Sequence, residues 1–338
     1  MQGCIEKKGD VMKRLITVLI VTLVLGIAAG SLFAAGQVDS KASDYDYVVG
    51  FNNMWTDLEF FQVVEEGLRK AAEENNIKLL VGYGERDGQK MMSNVDTFVL
   101  QGADLILDFN VLSEVGNTMT KELAKKDIPL IAIDGVYEGA YFYGVNNEHV
   151  GRTAGTAAAE YIKDTWNGQI DYVVHIYSES AGPAVRKRNS GASDVIIETF
   201  PNFNKNNVVW IDAGSHMDPI NGRSLATDFL TAHPEAKHVY FQVLTDLPAS
   251  GVLLAVEESG RSNEAIILSC DASGPALDNL RKGKANSWLG SVAAFPELYG
   301  ENIIAYALDI LGGKNPPKER FTNNVVITHE NIDEYYPK

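Results

Sequence analysis

Two rhythms of apolar and polar residues alternate along most of the chain. Short apolar runs stop after a few residues. Longer stretches carry apolar positions at helical spacing. The first rhythm predicts buried strands and the second predicts amphipathic helices. Strands are expected at 47–51, 77–81, 104–109 and 129–133. The helix after the first strand opens on Thr56-Asp57-Leu58-Glu59, a capping-box pattern, and sets Phe60, Val64, Leu68 and Ala71 on one face. Further helices are expected at 89–101 and 113–126. A second extended piece at 141–145 breaks the alternation, which then restarts. Helices follow at 147–166, 188–200, 219–232 and 247–259, with strands at 172–177, 208–211, 238–243 and 265–270. A helix to about 282, a strand at 288–293, a helix from Pro296 to Gly312-Gly313 and a last strand at 321–328 complete the chain. Alternation of this kind means an α/β fold, with parallel sheets covered by helices on both faces. The two halves share the pattern, which suits two like lobes.

The stretch 128–151 organises the reading. Its apolar run ends at Asp134-Gly135. A carboxylate at the carboxyl end of a buried parallel strand points into the crevice where open α/β sheets hold ligands. The extra extended piece after it marks the place where the chain leaves one lobe for the other, with Asp134 at the mouth between them. For this stretch alone, an Asp capping a strand-to-loop turn is the simpler reading.

Composition narrows the class. The chain has 338 residues, 45% of them hydrophobic, and a net charge of −16. That charge argues against nucleic acid and anionic membrane surfaces as partners. Met12-Lys13-Arg14, the apolar run from Leu15 to Ala29 and Ala34-Ala35-Gly36 form a signal-peptide pattern. Residues 1–36 are therefore expected to be a leader cleaved near Gly36, with 1–11 a doubtful upstream start. A permanent anchor would need a longer apolar run. Cleavage would leave Cys270 as the one cysteine, so no internal disulfide is expected. The product is expected to be exported, soluble and periplasmic.

Candidate chemistry is sparse. Gly82-Tyr83-Gly84 follows a strand, but Asp87 stands where a dinucleotide site needs a third Gly, so a plain turn is the reading. The chain has no phosphate loop, no Gly-x-Ser-x-Gly elbow and no His-Glu-x-x-His helix. The six His are scattered. No metal, cofactor or catalytic residue is expected. What remains is a set of carboxyls at strand ends: Asp108, Asp134, Asp246 and Asp271. Singly each reads as a cap. Together they gather where two lobes would face one cleft. Paired carboxylates could also serve acid–base chemistry on a sugar.

With these residues in view, residues 45–336 resemble the sugar-binding type I periplasmic binding proteins, the ribose- and galactose-binding kind that feed ABC importers. The blocks are Phe60-Phe61 with Gly67, Gly102 to Leu107, Ile128-Pro129 to Asp134, Asn147 with Gly151, and Arg188-x-x-Gly191. Thr231 to Pro234, Asp246 with Gly251, and Leu268 to Asp271 complete them. The resemblance implies two Rossmann-like lobes joined by a three-strand hinge, crossing near Val145, Ala294 and Asn323. It implies an N-terminal lobe of 45–145 plus 294–322 and a C-terminal lobe of 146–293 plus 323–338.

By the same resemblance, Phe60 or Phe61 would stack on a sugar face, Asp134 and Asp271 would accept from hydroxyls, and Arg188 would donate a charge-assisted pair. Departures are also visible. Leu58 replaces Asn or Asp, Gly135 a second Arg of ribose binders, Met217 a stacking aromatic, Thr245 the Asn of an Asn-Asp pair that keeps Asp246, and Ala294 a Gln. Asn52, Asn53 and Trp55 are placed to compensate. The expected ligand set is Asn52, Trp55, Phe60, Phe61, Asp134, Arg188, Met217, Thr245, Asp246 and Asp271. The expected function is capture of a neutral monosaccharide or related polyol by a monomer, for delivery to an ABC permease with its ATPase subunit. The alternatives are a sensory module serving a chemoreceptor or histidine kinase, and a secreted sugar-processing enzyme. Related repressors of this fold carry a DNA-binding helix-turn-helix where this chain carries its leader.

Overall fold

A computed structural model describes residues 45–283 and 286–338. The leader expected over residues 1–36 and its expected cleavage point lie outside the described residues. The first lobe begins with β1 (Tyr47–Asn53), α1 (Glu59–Glu74), β2 (Ile77–Tyr83), α2 (Gly88–Leu100), β3 (Leu105–Phe109), α3 (Ser113–Ala124), β4 (Leu130–Ile133) and β5 (Tyr141–Gly144). The second lobe holds α4 (Asn147–Thr165), β6 (Tyr172–Tyr177), α5 (Gly182–Thr199), β7 (Val208–Asp212), α6 (Pro219–Ala232), β8 (Val239–Val243), α7 (Asp246–Glu258), β9 (Ala265–Asp271), α8 (Gly274–Leu280) and β10 (Trp288–Ala293). The chain then returns through α9 (Tyr299–Leu311) and β11 (Glu319–Phe321) to the first lobe, and through β12 (Val326–Ile327) and α10 (Ile332–Tyr335) to the second.

Each lobe has one six-stranded sheet, in the orders β11-β5-β4-β3-β1-β2 and β12-β10-β9-β8-β6-β7. All pairings are parallel except β10 with β12. Strands β3, β4 and β8 are buried along their whole length, as expected of parallel strands covered on both faces. In the first lobe, α1 and α9 pack one face through Val64, Leu68 and Ile303, and α2 and α3 pack the other through Met91, Phe98 and Met119. In the second, α6 and α7 cover one face and α4 and α5 the other.

Three helix pairs approach so closely that only glycine fits between them. A methyl group at Gly151 of α4 would lie 2.5 Å from the Arg188 carbonyl, one at Gly251 of α7 1.9 Å from the Pro219 carbonyl, and one at Gly300 of α9 2.0 Å from the Gly67 carbonyl carbon. Of the glycines that marked the sequence blocks, Gly67, Gly151, Gly191 and Gly251 are thus packing contacts between helices, whereas Gly102 sits at positive φ with open space around it.

Several expectations change. Thr56 does not cap α1: the N-cap is Leu58, with no side-chain bond. Asp87 caps α2 by accepting from the Gln89 and Lys90 amides, so it ends the glycine-rich turn. Helix α5 starts at Gly182 rather than 188, with Pro183 in its first turn. The strand expected at 321–328 is two strands in two sheets. β11 runs parallel to β5, and β12 runs antiparallel to β10. Between them Asn324 Nδ2 donates to the Ala293 carbonyl. The chain therefore passes between the sheets at 145–146, 294–295 and 322–325.

Candidate functional site

Strands β4 and β9 hold matching places, third in each sheet order. Asp134 follows β4 and Asp271 ends β9. Both depart from ordinary strand geometry, with φ of 53° at Asp134 and 109° at Asp271. Non-glycine residues at positive φ are strained and concentrate at functional sites. In the first lobe the Asp134 carboxylate is clamped. Its Oδ1 accepts from the Val145 amide at 2.9 Å, and its Oδ2 accepts from the Tyr299 hydroxyl at 3.0 Å. Gly144 leaves room for it, since a methyl there would lie 2.2 Å from Oδ1.

Arg188 reaches these acids from α5. The close crossing of α4 and α5 at Gly151 and Gly191 sets its height. Its Nε donates to Asn147 Oδ1 at 2.6 Å, and its Nη1 stands 3.6 Å from Asp271 Oδ1. The Arg188 side chain is 14% exposed and that of Asp271 21%. Burial opposes the Arg188 charge, but Cys270, Asp271 and Asp134 outweigh it and raise its pKa. Burial pushes the Asp134 carboxyl up, against the Val145 amide, Arg188 and Tyr299. Burial also pushes Asp271 up, helped by repulsion from Asp246 and opposed by Arg188.

Aromatic rings lie beside the acids. Phe60 meets Tyr299 edge-on at 5.6 Å, while Phe61 lies 4.4 Å from Phe109 and 4.6 Å from Trp55. Phe60 packs against apolar clusters of both lobes. The rims meet nearby: a methyl at Gly274 would lie 3.9 Å from Glu59 Oε2. Two carboxyls and one guanidinium gathered near aromatic rings suit a small polar ligand with apolar faces.

Residues 49–315 match the family model described as periplasmic binding protein domain. The chain belongs to that family. Among curated relatives, the ribose import binding protein RbsB of Bacillus subtilis is 23% identical over 310 residues, covering 91% of this chain and 96% of the relative. A periplasmic ribose ABC transporter structure from Conexibacter woesei superposes with a TM-score of 0.73 at 21% identity, covering 88% of this chain and 96% of that one. A periplasmic solute binding protein from Actinobacillus succinogenes with bound D-allose gives a TM-score of 0.72 at 18% identity, covering 86% and 100%.

In this periplasmic binding protein the remaining expected site residues do not all converge. Asp246, at the start of α7, is fully enclosed. It accepts from Ser269 Oγ at 2.5 Å, Ser291 Oγ at 2.6 Å, the Ser273 amide at 2.7 Å and Ser273 Oγ at 3.1 Å. Asn52 is likewise enclosed, donating to Asp108 Oδ1 and the Met91 carbonyl and accepting from Asn94. Both were expected at the ligand, yet their polar atoms face their own lobes. Met217 packs onto the second-lobe core, and Thr245 precedes α7 without making a side-chain cap. Asp108 is enclosed by Asn52 and Asn110.

Three groups at the site escaped the sequence reading: Tyr299, Asn147 and the Val145 amide. Asn147 carries a weak signal, as the first helical residue after a crossing. Cys270 is buried with its thiol pushed up, so it offers no thiolate. Among the described residues, no group of three or more His, Cys, Asp or Glu could hold a metal ion, and no helix is long and apolar enough to cross a membrane.

Proposed function

We propose that this chain is an exported solute-binding protein that captures a monosaccharide or related polyol between its lobes. It delivers that ligand to an ABC permease driven by an ATPase subunit. One observation carries the reading. Arg188 of the second lobe stands 3.6 Å from Asp271 and lies in the field of Asp134 of the first lobe, whose partner Tyr299 meets the Phe60 ring at 5.6 Å. A ligand touching all of them must be enclosed by both lobes. Carboxylates and a guanidinium are planar polar groups suited to hydroxyls, and an aromatic face suits the apolar side of a ring. The names of the ribose import relatives support the same ligand class.

Native mass spectrometry of the purified protein, before and after unfolding and dialysis, tests this reading. A small polyol is expected to leave on unfolding. If the protein is empty, one or more of the pentoses, hexoses and polyols are expected to raise its melting temperature, with the shift growing as the logarithm of ligand concentration above Kd. A protein that shifts with none of them, or that consumes a sugar, would overturn the proposal.

A further inference from the structure

The acids around Arg188 outnumber the cations that could pair with them. Asp134 and Asp271 both lie in the field of one guanidinium, Arg188, and Asp246 repels Asp271 from behind. Other cations are committed in exposed ion pairs of their own. Arg86 pairs with Asp57 at 2.8 Å, Lys187 with Glu148 at 3.2 Å and Arg186 with Glu179 at 3.2 Å. Gly135, where the ribose-binder pattern has a second Arg, cannot accept a side chain. A methyl there would lie 2.5 Å from the Asn110 carbonyl and 2.6 Å from the Tyr137 hydroxyl.

The three acids differ in what holds them. Asp134 is clamped by Val145 and Tyr299. Asp246 is enclosed by Ser269, Ser273 and Ser291. Asp271 has Arg188 at 3.6 Å, beyond good hydrogen-bond range, and Arg188 turns its Nε to Asn147 instead. Burial and Asp246 both disfavour an ionised Asp271. A hydroxyl arriving from a ligand brings no charge to relieve this. An ammonium group brings a full positive charge and donors for a charge-assisted bond.

We propose that the ligand is a polyol bearing a protonated amine, an amino sugar or aminocyclitol, with its ammonium on Asp271 and its hydroxyls on Asp134 and Arg188. This rests on the solute-binding reading and replaces the neutral ligand expected from the sequence with a cationic one. When the amine binds near neutral pH, Asp271 gives up its proton to solvent and the ammonium keeps its own. While the free amine is itself protonated, binding should therefore release protons, and affinity should rise from about pH 6 to about pH 7 and level off where the free amine begins to lose its proton.

The test is calorimetry and thermal shift on the intact protein with matched pairs: glucosamine and glucose, galactosamine and galactose, an inosamine and myo-inositol. In at least one pair the amine is expected to bind about tenfold tighter or better than its parent. The tighter amine is expected to release protons, seen in buffers of unlike ionisation enthalpy. Asp271→Asn is expected to cost that amine at least about tenfold more than it costs the parent. Should the variant fail to fold, the pH dependence of amine against parent in the unaltered protein decides. Parents that bind as well as their amines would overturn this inference and leave the solute-binding reading standing. Binding of neither kind would sink both.

Discussion

Asp134 and Asp271 stand at matching ends of matching strands, yet the two lobes hold them in opposite ways. The first lobe fixes its carboxylate with a backbone amide and a tyrosine hydroxyl. The second leaves its carboxylate leaning on a guanidinium 3.6 Å away. The first arrangement presents an acceptor of settled geometry. The second presents charge whose partner is only loosely engaged. Each lobe also contains an acid turned inward, Asp108 in the first and Asp246 in the second, with no exposure to solvent. Strand ends therefore supply two kinds of carboxyl. One kind is consumed by the lobe's own donors, and the other is left with acceptor capacity. The chemistry of a strand-end Asp follows from how many local donors reach it.

The sharpest way to break this division is Asp246→Ala. It would strand the donors of Ser269, Ser273 and Ser291 in a buried site. The expected loss is about 3–5 kcal/mol of folding stability in urea unfolding. A loss below about 1 kcal/mol would erase the distinction between enclosed and cleft acids. Next comes Arg188→Ala, expected to weaken ligand binding on the order of 100-fold in a variant that still folds. Isothermal titration on the folded variant checks it, and retained tight binding would remove Arg188 from the site.

Acid titration separates the lobes further. In β6, His175 is enclosed 4.1 Å from the Trp210 ring. Burial first, and then Arg186, lower its pKa from 6.5 to about 3. A base depressed in the fold contributes stability above its unfolded pKa and loses it as pH falls below that value. Asp108 has the opposite sign. Burial raises its pKa from 3.8 to about 7, so the stability it contributes is lost as pH rises across that range. Comparing His175→Phe with the unaltered protein should remove an acid-side loss of about 2 kcal/mol between about pH 6.5 and about pH 5. Parallel pH profiles for the two proteins would refute the assignment. The smallest effect is expected from Tyr299→Phe, which frees one side of Asp134 and should cost about 1 kcal/mol of binding. A variant that binds like the unaltered protein would show that the clamp is not needed.

The architecture was legible because parallel strands buried on both faces are written as unbroken apolar runs, as at β3 and β8. Several family blocks were legible because Gly67, Gly151, Gly191 and Gly251 sit where helices cross at near-contact distances. Asp134, Arg188 and Asp271 were found from strand ends joined to a family resemblance. The inward turn of Asp246 was not legible, since its partners Ser269, Ser273 and Ser291 are scattered over later segments. Nor was Tyr299, which lies 165 residues from Asp134. The last strand was misread because segments of two and three residues, β12 and β11, are too short to show a period. Thr56 matched a capping pattern but left α1 to begin at Glu59. A local motif yielded there to the fit of the loop.

The return of the chain through α9 and β11 has a consequence for how the molecule is made. A ribosome finishes every strand of the second sheet except β12 before it reaches the helix and edge strand that complete the first. The first lobe is begun early and closed late, and the bond from Tyr299 to Asp134 joins segments translated far apart. Contacts of such long sequence separation form slowly. A nascent chain halted before residue 299 would carry Asp134 without its tyrosine clamp, so the first lobe's share of the site cannot assemble until that residue has been made.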